Sequence, residues 1–152
     1  MARKDKIAAE LASIMDGNDG VLHPQHVVDF ARDETTALHD RFEWDDTEAG
    51  KKYRLEQARH IIRVYVDVAD DSVTEIRAWV SLPSDRETGG GYRKTRDVLS
   101  ERERREEFLQ MALRDLMVFK RKYAILQQLA KVFAAAEEVA TKHKPKRRRR
   151  TG

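Results

Sequence analysis

Hydrophobic residues in the first part of the chain recur at the spacing of an α-helix. Within residues 5–15, three aliphatic side chains lie four and then three positions apart, on one face of a short amphipathic helix: Ile7, Leu11 and Ile14. The segment DGNDG (16–20) follows, and its glycines and short polar side chains favour the end of a helix. We therefore predict a first helix that ends at this segment.

Two further helices are predicted in the next forty residues. Proline suits the first position of a helix, so the segment HPQHVVDFARD predicts a helix that begins at Pro24. Asp46 and Thr47 can cap a third helix that runs to about His60. Between these two helices, three large apolar residues predict a contact surface: Leu38, Phe42 and Trp44.

The period of the hydrophobic pattern then changes to two. Residues 62–68 and 74–82 each alternate between aliphatic positions and polar or aromatic positions, and the polar segment ADDS (69–72) separates them. This pattern predicts an antiparallel β-hairpin. We expect its aliphatic face to pack on the helices, and four residues to lie on the opposite face: Arg63, Tyr65, Arg77 and Trp79.

A glycine-rich segment separates the hairpin from a long helix. The segment PSDRETGGGYRKTRD (83–97) contains three successive glycines and predicts a flexible connection. Ser100 and Glu103 then have the S-x-x-E spacing of a helical capping box. We predict one helix from about Glu101 to Thr141, with a length of about 60 Å.

The long helix carries the most regular apolar pattern in the sequence. Its apolar residues alternate three and four positions apart over nearly four heptads, as in a coiled coil. The stripe is wider than a two-stranded seam, so we expect part of it to cover the rest of the chain and part to contact another subunit. The alternative is a monomer in which the helix is a spine. The predicted oligomer interface consists of Leu109, Leu116, Phe119, Tyr123, Leu126 and Phe133.

These elements predict an α+β protein that is mostly helical. Residues 1–98 form a small domain of short helices and one antiparallel β-hairpin. Residues 99–141 form the long helix, for packing and oligomerisation. Residues 142–152 form a disordered basic tail, because a run of positive charges without apolar residues cannot fold alone.

Charge is distributed unevenly along the 152 residues. The chain has 30 Lys and Arg against 27 Asp and Glu, a formal net charge of +3. Without the seven basic residues of the tail, 23 against 27 remain, and the body has a charge of −4. This pattern is typical of a folded module that carries an electrostatic tether, rather than of a uniformly basic DNA-coating protein.

The composition also excludes several classes of protein. The chain has no cysteine, which excludes disulfides, thiol catalysis and cysteine-ligated zinc. It has no apolar run long enough to span a membrane, and its N-terminus lacks the apolar region of a secretory signal. We expect a cytoplasmic location and no membrane partner.

The basic tail is the first candidate for function. Its charges suit the neutralisation of phosphates, which weakens steeply with salt and carries no sequence specificity. A solubilising tail, a localisation signal and an acidic protein partner are alternatives. The candidate nucleic-acid-binding residues of the tail are Lys142, Lys144, Lys146, Arg147, Arg148, Arg149 and Arg150.

The glycine-rich segment is the second candidate. Arg93 and Lys94 offer positive charge, and Tyr92 offers a ring on which a base could stack. The segment has neither the Walker A pattern nor the dinucleotide-binding fingerprint. A linker without a binding role is the alternative interpretation.

Two other DNA-binding arrangements are weaker. The first three helices are long enough for a helix-turn-helix, but the second helix offers a groove mainly Gln25, Arg32 and acidic side chains. The polar and aromatic face of the hairpin could enter a major groove or stack on single-stranded bases. Packing of Tyr65 and Trp79 under a helix is the favoured alternative.

No catalytic arrangement emerges from the sequence. His23 and His26 have the spacing H-x-x-H, but no glutamate completes a zinc-protease frame, and we predict no metal. The acidic cluster EWDDTE (43–48) could hold magnesium in a nuclease, although its position at a helix start already accounts for the negative charge. We expect no enzyme activity, no cofactor and no small-molecule substrate.

The segments LHDRFEWDDTEAGKKYRLEQARHIIRVYV and AWVSLPSDRETGGGYRKTRDVL resemble a family of small proteins encoded by tailed bacteriophages and prophages. The resemblance covers about residues 22–138, and the FEWDD block, the hairpin, the GGGYR loop and the long helix occur in that order. It implies a phage gene product that acts in a bacterial cytoplasm, around DNA. It implies no role for any individual residue.

Together these observations predict a non-enzymatic, homo-oligomeric protein that binds nucleic acid, most simply DNA, through its tail, in DNA packaging or DNA maintenance. Association of several subunits would make their tails act together and raise the affinity. The alternative is a structural or protein-interaction module, such as a virion component or an inhibitor of a host protein, that uses the long helix. A metal-dependent nuclease built on Asp45 and Asp46 is a third hypothesis.

Overall fold

The computed structural model describes residues 3–44, 47–68 and 74–144. The chain divides into two compact units, Met1–Glu101 and Arg102–Gly152. The prediction of a mostly helical α+β protein is confirmed. The described helices and strands of the first unit are α1 (Arg3–Asp16), α2 (Pro24–Phe30), α3 (Glu48–Val64), β1 (Val66–Val68), β2 (Glu75–Arg77), β3 (Trp79–Val80), α4 (Pro83–Glu87), β4 (Arg93–Lys94) and α5 (Thr95–Ser100); those of the second are α6 (Arg102–Tyr123) and α7 (Ala130–Lys142).

Helices α2 and α3 begin where the local signals predict. Pro24 is the first residue of α2. The side chain of Thr47 accepts a hydrogen bond from the backbone N–H of Gly50, 3.0 Å away, and so caps α3. Asp46, the other predicted capping residue, lies outside the described residues. Local capping therefore explains the start of α3 without any distant contact.

Helices α1, α2 and α3 enclose the core of the first unit. Its fully buried aliphatic residues come from all three helices and from the connections between them: Ile7, Leu11, Leu22, Val27, Leu38 and Ile62. The carboxylate of Glu10 in α1 accepts hydrogen bonds from the backbone N–H groups of Ala37 and Leu38, at 2.7 and 3.0 Å. This contact fixes α1 against the chain that connects α2 to α3.

The third helix is longer than predicted. It continues through residues 61–64, which the alternating pattern assigned to a strand. Ala58, Ile61 and Ile62 are buried, and Ala58 and Ile62 are four positions apart on one helical face. Burial of this face overrides the preference of isoleucine and valine for strands, so the prediction of a strand beginning at residue 62 is wrong.

The strands that follow are short and bury residues from both predicted faces, since Ala78 and Val80 of the aliphatic face are buried as well as Tyr65 and Trp79 of the other. Strands β1 and β2 pair antiparallel, with Val66 opposite Arg77; residues 69–73, which include the predicted turn, lie outside the described residues. Val66 and Val68 are exposed, whereas Tyr65 and Trp79 are buried with their rings 6.2 Å apart. The two aromatic rings bury more area than two valines would, and this favours the observed orientation.

The glycine-rich segment is folded, which corrects the prediction of a flexible connection. Residues 83–97 form α4, a glycine turn, strand β4 and the start of α5. Strand β4 pairs antiparallel with β3, and the backbone of Tyr92 exchanges two hydrogen bonds with Leu22. These backbone contacts restrict the conformation of the segment that was predicted to be flexible.

The second unit is a helical hairpin, so the prediction of one long helix is wrong. Helix α6 ends at Tyr123, and residues 124–129 form a turn and a single 3-10 turn before α7 begins. Phe119 contacts Phe133, and Gln110 donates a hydrogen bond to the backbone oxygen of His143. These contacts require α7 to run antiparallel to α6. The contacts between the two helices offset the helical hydrogen bonds that are lost at the turn, which contains neither glycine nor proline.

Candidate nucleic-acid interface

The two compact units carry opposite charge. Met1–Glu101 contains 15 Lys and Arg against 21 Asp and Glu, a formal charge of −6. Arg102–Gly152 contains 15 Lys and Arg against 6 Asp and Glu, a formal charge of +9. Seven of these nine charges belong to the basic tail, and residues 102–141 contribute the remaining +2.

The basic tail begins at the end of α7. Lys142 is the last residue of that helix and pairs with the carboxylate of Glu138, 2.6 Å away. Lys144 is exposed. Lys146 and the four arginines from Arg147 to Arg150 lie outside the described residues. The structure thus places the start of the predicted phosphate-binding run on a helix end.

The fold of the hairpin brings the start of the tail beside the start of α6. The imidazole Nδ1 of His143 lies 3.9 Å from a carboxylate oxygen of Glu106, and Gln110 donates to the His143 backbone oxygen. The first turn of α6 contains three arginines, Arg102, Arg104 and Arg105, with Glu103 between the first two. The tail therefore leaves the hairpin at the end where these arginines lie.

Further cations on the hairpin were not singled out by the sequence analysis. Arg114 and Arg121 are exposed, seven residues apart, and so lie on one side of α6. Lys131 is exposed in the first turn of α7. Counting charges outside the terminal run would have identified these residues. That Arg114 and Arg121 share one side follows only from their spacing on the helix.

The predicted contacts of the glycine-rich segment have mainly structural partners. The guanidinium of Arg93 holds one carboxylate oxygen of the buried Asp85, with its Nε and its Nη2 each 2.7 Å away. Tyr92 is half-buried and packs against the core. Lys94 is exposed. Of the three predicted residues, only Lys94 presents its charge to solvent without a described structural contact of its side chain.

The predicted oligomer interface is divided by the turn between α6 and α7. Phe133 is buried inside the hairpin, so its assignment to a contact between subunits is corrected. Leu116, Phe119 and Leu126 are exposed. Leu109 and Tyr123 are half-buried. The single stripe predicted along one helix becomes two short stripes on neighbouring helices.

The histidines and acidic residues have ordinary structural contacts. His39 stacks on Trp44 with ring centroids 5.1 Å apart, and its Nδ1 lies 2.9 Å from the backbone oxygen of Ala31. A hydrogen bond from Lys51 holds the pKa of Glu48 below its usual value. Within residues 3–44, 47–68 and 74–144, no three His, Asp or Glu side chains are grouped as metal ligands would be. Asp45 and Asp46 lie outside these ranges.

A shallow depression of about 460 Å³ lies along the exposed side of α3. Tyr53, which is more than half exposed, lines it together with Arg41, Glu56, His60 and Arg63. An exposed ring near cations is suited to stacking on a base. The sequence pattern did not predict this grouping, because Arg41 comes from outside the helix.

No described helix has both the length and the apolar character needed to cross a bilayer. Comparisons of the chain with protein-family models, curated proteins and solved structures find no match.

Proposed function

We propose that this protein binds nucleic acid without catalysing a reaction, and that it does so through the phosphate backbone. The basic residues of the C-terminal unit provide the contacts. In the phage context that the sequence resemblance implies, such binding would serve DNA packaging or DNA maintenance in a bacterial cytoplasm.

The separation of charge between the two units supports this proposal. A unit of +9 attached to a unit of −6 directs a polyanion to one part of the molecule and repels it from the other. The cations on α6 and α7 extend the field of the tail along the hairpin. Contacts to phosphate are the same at every base, so we expect little sequence preference.

The expected affinity depends strongly on salt. For each bound chain, seven neutralised phosphates contribute about −6 to the slope in a plot of log K against log salt for duplex DNA. Between 50 and 200 mM salt, such a slope weakens binding by about three to four orders of magnitude. This dependence distinguishes phosphate binding from an apolar contact.

The test compares two variants that each lose four positive charges. In the first, Arg147, Arg148, Arg149 and Arg150 are changed to glutamine. In the control, four exposed cations of the first unit are changed to glutamine: Lys4, Lys6, Lys51 and Lys52. Binding of labelled duplex DNA, single-stranded DNA and RNA is measured for the full chain and both variants across a salt series.

The tail variant should lose at least half of the salt slope and most of the affinity, whereas the control should keep both. Equal losses in the two variants would mean that net charge alone drives a nonspecific attraction. Absence of binding by the full chain at low salt would refute the proposal.

Exposed apolar side chains on the hairpin favour a second candidate function. Val118 and Val132 are about half exposed, and Ile125, in the turn between the helices, is 86% exposed. A protein partner, such as a virion component or a host protein that is inhibited, could bind such side chains. That contact would change little with salt, so the same titration separates the two functions.

A further inference from the structure

One side of the helical hairpin is apolar and exposed. In α6, the side chains of Leu116 and Phe119 are 38% and 43% exposed, and in α7 those of Val132 and Val139 are 51% and 40% exposed. Ala112 and Tyr123 continue the α6 row in both directions. We call this set the apolar face: Ala112, Leu116, Phe119, Tyr123, Val132 and Val139.

Helical periodicity places all six residues on the same side of the hairpin. Leu113 in α6 and Phe133 in α7 are buried between the two helices and define the direction in which each helix faces the other. At about 100° per residue, the α6 members lie about 60–120° from Leu113 in one rotational sense, and the α7 members lie about 100–120° from Phe133 in the same sense. Because the two helices are antiparallel, residues rotated by the same angle from the shared contact lie on the same side of the hairpin.

The opposite side of the hairpin is charged. Arg114 and Arg121 lie about 80–100° from Leu113 in the other rotational sense, and Glu138 lies about 140° from Phe133. All three are exposed. Val118 is the apolar exception on this side, with 55% of its side chain exposed. One side of the hairpin is therefore largely charged, and the other side is largely apolar.

The hairpin buries few apolar side chains by itself. Among its described residues, only Leu113, Phe133 and Ala136 are buried. Two packed helices offer each other one stripe apiece, so a wider apolar surface has no partner within the pair. A four-helix arrangement provides the second contact that each helix lacks.

We propose that the apolar face binds the apolar face of a second copy of this chain, and that the two hairpins together form a four-helix bundle. The face is self-complementary in composition, as a two-fold interface requires. Its six members carry no charge, and the exposed Arg114 and Arg121 lie on the opposite side of the hairpin, so these like charges stay outside the interface.

The size of the face is that of a weak, reversible dimer. The face extends from Ala112 to Tyr123, about 18 Å along α6, and two packed helices are about 20 Å wide. Two such faces bury about 700 Å² in total, less than the range of about 1,200–2,000 Å² for stable specific interfaces. We therefore expect the dimer to dissociate at low protein concentration. The proposal develops the homo-oligomer that the sequence predicts, and it does not depend on nucleic-acid binding.

The test measures the mass of the full chain by sedimentation, without nucleic acid and in about 1 M salt, where charge attractions are screened within about 3 Å. At the highest protein concentration, the wild-type protein should approach twice the 17.7 kDa mass of one chain. Phe119→Glu and Val139→Glu should each raise the dissociation constant by about a hundredfold or more, because each would bury a charge in the interface.

Val118→Glu is the matched control, since it places the same charge on the opposite side of the hairpin and should leave the dimer intact. Circular dichroism checks that each variant keeps its helices, and Phe119→Ser replaces Phe119→Glu if that variant does not fold. A monomeric wild-type protein, an assembly of more than two copies, or equal weakening by Val118→Glu would overturn the proposal. Failure of this test leaves phosphate binding by the tail unaffected, and failure of the binding test leaves the dimer unaffected.

Discussion

At the scale of single residues, the glycine-rich segment shows how a few positions hold a turn that looks flexible in sequence. Gly91 has a φ of +130°, and a Cβ atom there would lie 2.5 Å from Cγ1 of Val21. Asp85, at 3% exposure, receives a hydrogen bond from the backbone N–H of Leu82 and pairs with Arg93. Gly91 therefore requires the absence of a side chain, and Asp85 requires a buried carboxylate.

Gly91→Ala should lower the free energy of unfolding by about 2–4 kcal/mol, because it combines a strained backbone with a steric clash. Gly89→Ala is the control: Gly89 has a φ of +104° but open space around the added Cβ, so only the backbone strain of about 1–2 kcal/mol applies. Urea denaturation measures both. Equal losses would show that the clash with Val21 relaxes freely.

Asp85→Ala should lower the free energy of unfolding by about 3 kcal/mol, since it removes a buried ion pair and leaves the N–H of Leu82 without its acceptor. Adding Arg93→Ala should cost much less than it does in the wild-type protein, because the pair is already broken. Glu87→Ala, at an exposed position of the same helix, should change stability by less than about 0.5 kcal/mol. Additive losses for Asp85 and Arg93 would contradict the coupling.

At the scale of elements, an ion pair connects strand β1 to helix α5. The carboxylate of Asp67 accepts a hydrogen bond from Nε of Arg96, 2.9 Å away, and Arg96 also donates to the backbone oxygen of Val68. Burial raises the pKa of Asp67, but hydrogen bonds from Val68 and Arg96 and the charges of Arg96 and Lys94 outweigh it, so the pKa lies below the ordinary 3.8. The ionised form is therefore the one that stabilises the fold.

Asp67→Asn should cost about 0.5 kcal/mol at neutral pH, the value typical of a partly exposed pair. The folded pKa is lowered, so the contribution is complete above the unfolded value of 3.8 and is lost as the pH falls through the folded value. The difference in unfolding free energy between wild type and variant should therefore disappear in strong acid. Glu75→Gln, on the neighbouring strand, provides the comparison; a constant difference for Asp67→Asn at all pH values would argue against the ion pair.

At the scale of the whole molecule, the proposed dimer would determine how many basic tails one particle carries to the nucleic acid. A dimer brings two basic units to the same nucleic acid, and the second binding event is then intramolecular. The monomeric variant Phe119→Glu keeps all seven basic residues of its tail but presents them singly.

If the proposed dimer forms, the salt slope for duplex DNA should fall by about half from the wild-type protein to Phe119→Glu, because the slope counts the phosphates that one particle neutralises. The affinity should fall by more than tenfold at moderate salt. Val118→Glu, with the same change of charge, should keep the wild-type slope. An unchanged slope in the monomer would mean that the two tails of a dimer do not bind together.

Local signals in the sequence determined the starts of the N-terminal helices and the concentration of positive charge at the C-terminus. Pro24 and the cap at Thr47 act through backbone groups only a few residues away, so neither needs knowledge of the rest of the fold. The basic run is visible as composition alone. These features were predictable because their causes lie within one turn of the chain.

Tertiary structure decided which faces are buried and where the last helix turns back. Residues 61–64 suit a strand by their alternation, yet the core places Ile61 and Ile62 on a helix. The stripe through Phe119 and Phe133 suits one long helix equally well, and the contact of these two rings in an antiparallel pair distinguishes the alternatives. Burial depends on residues far apart in the chain, and periodicity by itself does not contain that information.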